Sequence, residues 1–241
     1  MTAVRLALGQ ERRERHEGHD GGGGCDTAGE AADLAAFLGR LVRWDKAAVV
    51  RLRSARDEPA LGVFGHPPFG GVLAVRSVAL RGSAAVADAV DATVSAGQLL
   101  EAVSAAAGGF ELPPSVTGPA WAGLLPPRGG WRREAEFDPG QVRKAAVEAV
   151  AEFRARTERL PQQQRTRAVL DALAEELWTR PYQGTTLRVV HAAHALGFLR
   201  GDGDDTVALL AAGPWTRLRT EYGSVAVRRE SPAAGLSFSP A

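Results

Sequence analysis

FDPGQVRKAAVEAVAEF (137–153) opens the stretch whose reading decides the fold, and that stretch runs on to Arg229. Asp138 offers an N-cap acceptor, Pro139 sits in the first turn where no donor is missed, and Gln141 follows the cap by three residues. Val142, Ala146, Ala149, Val150 and Phe153 then recur at helical spacing, while Arg143, Glu148, Glu152 and Arg154 point away from that stripe. Pro161-Gln162-Gln163-Gln164 ends this helix. A second carries Val169, Leu170, Leu173, Leu177 and Trp178, and Pro181 and Gly184 close it. Thr185 or Thr186 caps a third through Leu187, Val190 and Ala193 to Gly197. Three strands follow at Val207–Leu210, Trp215–Thr220 and Ser224–Arg228, with turns at Gly213-Pro214 and Tyr222-Gly223. Three helices followed by a basic meander predict a winged-helix-like module.

Upstream, residues 1–29 mix charges of both signs with Gly21 to Gly24 and read as a disordered tail. The first helix starts near Glu30, with Leu34, Phe37, Leu38, Leu41 and Val42 on one face. Four strands follow, at Val49–Leu52, Leu61–Phe64, Val72–Leu80 and Val90–Val94, and the short turns between them argue for an antiparallel sheet. Asp57-Glu58-Pro59 and Gly65-His66-Pro67-Pro68 are turn signals. Ser95 caps a second helix through Leu99, Leu100 and Val103, with Gln98 at capping-box spacing. Over these six residues, Ser95 to Leu100, the run from a strand into a Ser-Ala-x-x-Leu-Leu helix resembles the repeats of sliding clamps.

Residues 108–136 hold Pro113, Pro114, Pro119, Pro126 and Pro127, bracketed in their densest part by Trp121 and Trp131, and read as a linker or arm. Its two Trp either dock back onto a core or face a partner; docking is the simpler reading. The expected organisation is a tail at 1–29, an α+β domain at 30–107, the arm at 108–136, a helical domain with a C-terminal meander at 137–230, and a tail at 231–241. The expected fold class is α+β: an N-terminal helix-capped antiparallel sheet, then a C-terminal three-helix domain ending in a small antiparallel, winged-helix-like meander.

Composition bounds the rest. Hydrophobic residues make up 45% and charged residues 24% of the 241, which is ordinary for a globular chain. No apolar run has membrane-spanning length, and Glu11 to Arg15 place charge where a secretory signal needs its apolar stretch. The single cysteine, Cys25, cannot form an intramolecular disulfide, so the cytoplasm is the expected location. The net charge of +1 supplies no global field toward nucleic acid or membrane. Only Lys46 and Lys144 are lysines among 29 cationic residues, a bias that matches GC-rich bacterial codon usage rather than phosphate binding.

Several constellations carry possible chemistry. His191 and His194 lie three apart on one helix side, as a metal pair would, but no third ligand is in view and structural histidines are the simpler reading. His16, His19 and Cys25 form a loose cluster in the tail, with no fold to close a site. Gly21 to Gly24 lack the preceding strand and the Lys of a phosphate loop. Gly201-Asp202-Gly203-Asp204-Asp205 lacks the distant Glu of a calcium loop. Asp88 and Asp91 read as solvated carboxylates, and no triad spacing is present. No metal or cofactor is expected.

The meander is what remains. Arg217 and Arg219 project from one strand face, Arg228 and Arg229 end the last strand, and Arg188 lies on the preceding helix. The leading expectation is a cytoplasmic, non-enzymatic binding or regulatory protein whose Arg188, Arg217, Arg219, Arg228 and Arg229 contact nucleic acid, or whose C-terminal domain meets a protein partner, with no membrane association. One alternative is an enzyme or small-molecule binder with an interdomain pocket lined by His66, Trp121, Trp131 and His191. Another is a structural partner in a larger assembly.

Overall fold

A computed structural model describes residues 5–7, 27–56, 58–80, 89–104, 109–200 and 206–229. The chain divides into two compact units. Unit 1 comprises residues 1–67 and 75–125, and unit 2 comprises residues 68–74 and 126–241.

Unit 1 begins with a short strand, β1 (Arg5–Ala7), then α1 (Thr27–Trp44), β2 (Val49–Ser54), β3 (Ala60–Gly65), β4 (Val72–Ala79), β5 (Val90–Ser95), α2 (Ala96–Ser104) and β6 (Gly109–Glu111). Its sheet runs in the order β5-β2-β3-β4. β2 is antiparallel to both neighbours, with Leu52 opposite Val63 on one side and Ala92 on the other. β2 and β3 alternate half-buried and buried positions, as a sheet with one face in a core must. Against that face α1 sets Leu34, Phe37, Leu38 and Leu41, and α2 adds Leu99 and Val103, all buried. Gly65 lies beneath the Leu41 and Phe37 side chains of α1. A methyl group there would stand 2.5 Å from Leu41 Cδ1, so any larger residue would push the Leu41 side chain aside. β1 pairs with β6 and sets Leu6 opposite Phe110, both buried.

Unit 2 contains β7 (Arg132–Phe137), α3 (Pro139–Arg159), α4 (Arg167–Trp178), the two-residue strands β8 (Pro181–Tyr182) and β9 (Thr185–Thr186), α5 (Leu187–Ala195), β10 (Val207–Ala212), β11 (Trp215–Thr220) and β12 (Gly223–Arg228). The caps follow the local chemistry. Asp138 accepts from Gln141 N at 2.8 Å, and Thr166 accepts from Val169 N at 3.4 Å. The sheet order is β12-β11-β10-β7. β10 pairs antiparallel with β11 and with β7, the latter through a bulge at Leu209/Leu210.

The winged-helix-like reading is overturned by this arrangement. The meander is not a free three-stranded wing, because β7, supplied by the Pro/Trp-rich stretch, adds a fourth antiparallel strand. Nor is α5 a recognition helix. Val189, Val190, Ala192 and Ala193 are buried and none of its residues is fully exposed, so it has no face to lay into a groove. β7 escapes a periodicity reading because its alternation is confined to Glu134–Phe137, too short a run to stand out; it is a charged edge strand, the kind that resists further pairing. The result is an antiparallel-sheet α+β fold.

No described helix is long and apolar enough to cross a membrane. His16, His19, Cys25, the Gly21–Gly24 run, Asp88, the acidic turn at 201–205 and the tail at 231–241 lie outside the described residues.

Candidate functional site

A pocket of about 500 Å³ opens in unit 1, lined chiefly by Leu41, Asp45, Ala48, His66, Pro119 and Trp121. Three segments build it. The turn after α1 is fixed by Asp45, whose carboxylate accepts from Ala47 N at 2.9 Å and whose carbonyl accepts from Ala48 N at 3.0 Å. The chain leaving β3 presents His66. The third wall is residues 117–121, held to β5 by a hydrogen bond from Val116 N to Thr93 O at 2.8 Å. Gly118 lies against β5 as well; a Cβ there would stand 3.0 Å from Thr93 Oγ1. Ala120–Gly123 form a 3₁₀ turn that buries Ala122 and leaves Trp121 half-exposed on the pocket wall. The His66 and Trp121 rings stack with centroids 5.8 Å apart.

Of the four side chains expected to line one interdomain pocket, His66 and Trp121 therefore meet within unit 1. Trp131 and His191 belong to unit 2, where each has other neighbours. Trp131 donates its indole N–H to Pro127 O at 3.0 Å, and its ring carries the Arg217 guanidinium at 5.5 Å. His191 stacks on Trp178 at 4.4 Å and receives the edge of Phe69 at 5.1 Å, while Trp178 in turn touches Phe153. The His191 Nδ1 is buried without a hydrogen-bond partner. Burial, then the nearby His194, pushes the His191 pKa down to about 4. Burial and Arg143 push His194 in the same direction. Among the described residues no group of three His, Cys, Asp or Glu side chains could hold a metal ion.

The five arginines expected to contact phosphate divide. Arg217 is half-buried and donates to Ser224 Oγ at 2.7 Å; burial and Arg219 bring its pKa down to about 10, so it stays charged. Arg188 is held by Glu175 at 2.6 Å and by Gly70 O at 3.2 Å. Arg229 donates to Gly213 O at 2.8 Å. Arg219 and Arg228 are exposed and make no hydrogen bond or ion pair among the described residues. Of the five, Arg219 and Arg228 are thus the two uncommitted cations.

A more basic surface lies where α3 turns back into α4. Residues 154–167 carry Arg154, Arg156, Arg159, Arg165 and Arg167 against one acidic residue, Glu158. A running charge count along the sequence would have found it; a search by motif and helical period does not. Arg156 makes two 2.8 Å hydrogen bonds to Glu176, and Arg180 bridges Glu152 at 2.8 Å and Glu176 at 3.3 Å. Hydrogen bonds from Arg156 first, then Arg180, hold the Glu176 carboxyl down to about 2. This network clamps the two helices together.

Residues 25–123 match a family described as "Domain of unknown function (DUF8010)", and residues 126–232 match "Domain of unknown function (DUF8185)". No curated protein matches the sequence. Among solved structures, the fold is similar to a DNA polymerase sliding clamp from Pseudomonas aeruginosa, at 12% identity and a TM-score of 0.46, over 86% of this chain and 66% of that one. It is similar to the sliding clamp from Caulobacter crescentus at 12% identity and a TM-score of 0.48, over 93% and 65%. The Helicobacter pylori beta clamp, solved with a DNA ligase peptide, is 10% identical with a TM-score of 0.45, over 99% and 70%. The chain thus spans just under two thirds of the length of the first two clamps.

Proposed function

We propose that the protein is a non-enzymatic binding protein whose unit 1 pocket receives an apolar or aromatic side chain from a peptide segment of a protein partner. The observation that carries this reading is the pocket itself. Its volume of about 500 Å³ falls in the range of small-ligand sites, and its lining sets apolar side chains beside at least as much polar surface at fixed positions. Leu41, Ala48, Val49 and Pro119 supply the apolar surface, Trp121 and His66 a stacked aromatic wall, and Asp45 a carboxylate that favours a cationic neighbour on the ligand. Two large apolar residues continue that surface beyond the pocket. Val116 is 40% and Leu124 50% exposed, on either side of the Pro119–Trp121 segment. Apolar surface extending past the pocket suits an extended peptide, with one side chain seated and its neighbours lying on the rim.

Selection from a random peptide library on the purified protein tests the proposal. Peptides enriched for an apolar or aromatic anchor are expected, binding with micromolar affinity. Trp121→Ala removes the aromatic wall and should weaken them by about tenfold or more, the usual cost of losing a central aromatic contact. His66→Ala should have a smaller effect in the same direction. No enrichment, or enriched peptides indifferent to both substitutions, would count against the pocket as a peptide site.

A further inference from the structure

The tip of the α3–α4 hairpin combines unspent positive charge with a polar surface. Arg156 is consumed by Glu176. Arg165 folds back onto the end of α3, donating to Leu160 O and Glu158 O at 3.0 Å each, where helix carbonyls lack partners. That leaves Arg154, Arg159 and Arg167 directed outward. All three are exposed, Arg167 with a side chain 94% accessible. Arg154 and Arg159 make no hydrogen bond or ion pair among the described residues. Arg167 approaches only Asp171, at 3.5 Å.

Helix stability accounts for Arg159, which ends α3 where the dipole favours a cation. It does not account for Arg167, the first residue of α4, where the dipole disfavours one. It does not account for Arg154 either. Arg154 is unpaired among the described residues and Arg167 is met only by the exposed Asp171, so both charges are left directed outward to an anion.

We propose that this hairpin tip binds the phosphate backbone of a nucleic-acid duplex through Arg154, Arg159 and Arg167. Arg154 and Arg159 lie about 7.5 Å apart along the helix axis, a few rises of the roughly 1.5 Å helical step. They are also about 140° apart around the axis, so they approach an anion from two flanks of the helix end. Between the helices, Gln162, Gln163 and Gln164 are exposed and add neutral hydrogen-bonding groups of the kind that accompany Arg on a backbone. The tip exposes no aromatic ring, so it lacks the stacking surface that a single strand requires. It likewise exposes no large apolar side chain between Arg154 and Arg167 that would enter an anionic bilayer. Three guanidinium groups on a braced hairpin fit a regular, rigid polyanion. The site is separate from the unit 1 pocket, and the two proposals stand or fall independently.

Binding of the full chain to a random-sequence DNA duplex, followed by fluorescence anisotropy from 50 to 200 mM salt, tests it. The R154Q/R159Q/R167Q variant should lose about 0.9 of log–log salt slope per arginine, about 2.7 in all. The wild type should then weaken across that range by about 40-fold more than the variant does, since each neutralised phosphate releases its counterion. R154K/R159K/R167K keeps the charge and should keep the slope. R219Q/R228Q, which removes the two uncommitted meander cations, should leave it within about one unit. A wild-type slope in the triple Gln variant overturns the proposal. So does a duplex that fails to bind at 50 mM salt. Displacement of the duplex by poly-glutamate at equal charge, or tighter binding to phosphatidylserine vesicles than to the duplex, would assign the tip to another polyanion and overturn it as well.

Discussion

Gly223→Ala is expected to destabilise unit 2 by about 3 kcal/mol, combining an overpacking cost of about 1–3 with a backbone cost of about 1–2. Gly223 opens β12 at φ 149°, a region that residues with a Cβ rarely enter. A methyl group there would stand 2.6 Å from two carbons of the Phe198 ring. Phe198 cannot retreat, because it is 1% exposed and its own N–H is bound to Ala193 O at 2.9 Å. Phe198→Ala alone should cost about 4 kcal/mol as a buried aromatic truncated to a cavity. The pair is coupled. In the Phe198→Ala background the new methyl of Gly223→Ala has room, and only the backbone cost of about 1–2 kcal/mol should remain. Urea unfolding of the four proteins, with amide exchange to locate the loss in unit 2, measures the cycle. Equal cost for Gly223→Ala in both backgrounds would show that the ring contact contributes nothing.

That pair also marks the limit of what the sequence carries. Tyr222-Gly223 is readable as a turn, but nothing in the sequence says that Phe198, 25 positions earlier, requires the glycine. Signals confined to a few neighbouring residues were legible. The Asp138-Pro139-Gly140-Gln141 cap, the Ser95 hydroxyl that accepts from Gln98 N at 3.4 Å, and the alternation in β2 each depend on local chemistry. Signals that depend on the partner strand were not. β7 is mostly charged, with only Ala135 and Phe137 apolar, and is a strand because Val207–Ala211 of β10 offers it a ladder. Missing it left the meander free in the reading and made a wing of it.

The same distinction governs the sites. Arg217 and Arg219 share a strand face, as their spacing of two dictates, yet one sits under Trp131 against Ser224 and the other stands in solvent. Spacing gives direction; only the fold gives the occupant of the space that a side chain points into. Arg188 shows the same thing, since Glu175 and the Gly70 carbonyl claim it from positions 13 and 118 residues away. Trp121 and His66 are separated by more than fifty positions and meet only because Gly118 lets residues 117–121 lie against β5. The outward-facing arginines of the α3–α4 tip are the reverse case. Their charge is plain in the sequence, and what the fold adds is which of them are already neutralised.

Acidification should destabilise unit 2, and His191 is the main reason. Its ordinary pKa of 6.5 falls to about 4 in the folded protein, because the ring is packed between Trp178 and Phe69 with Nδ1 sealed from water and His194 adds a further penalty. Between those two values the unfolded chain takes up a proton that the folded one refuses. Stability therefore falls as the pH drops from 6.5, and the loss is complete below about 4. A fully enclosed ring would lose about 3 kcal/mol over that window; partial exposure reduces the figure to on the order of 2. His194, shifted in the same direction by burial and Arg143, adds to the effect. His191→Phe keeps an aromatic ring against Trp178 and Phe69, removes the proton site, and replaces the unsatisfied Nδ1 with carbon. It should leave stability at pH 7.5 unchanged or higher by about 1 kcal/mol, the cost recovered from an unmet buried polar atom. Urea midpoints at pH 7.5, 5.5 and 4.5 compare the two proteins. The variant should show a shallower decline, with the remainder assignable to His194 through His194→Phe. Parallel declines in wild type and His191→Phe would mean that His191 titrates normally in the folded state, and that the Trp178 stack does not enclose it.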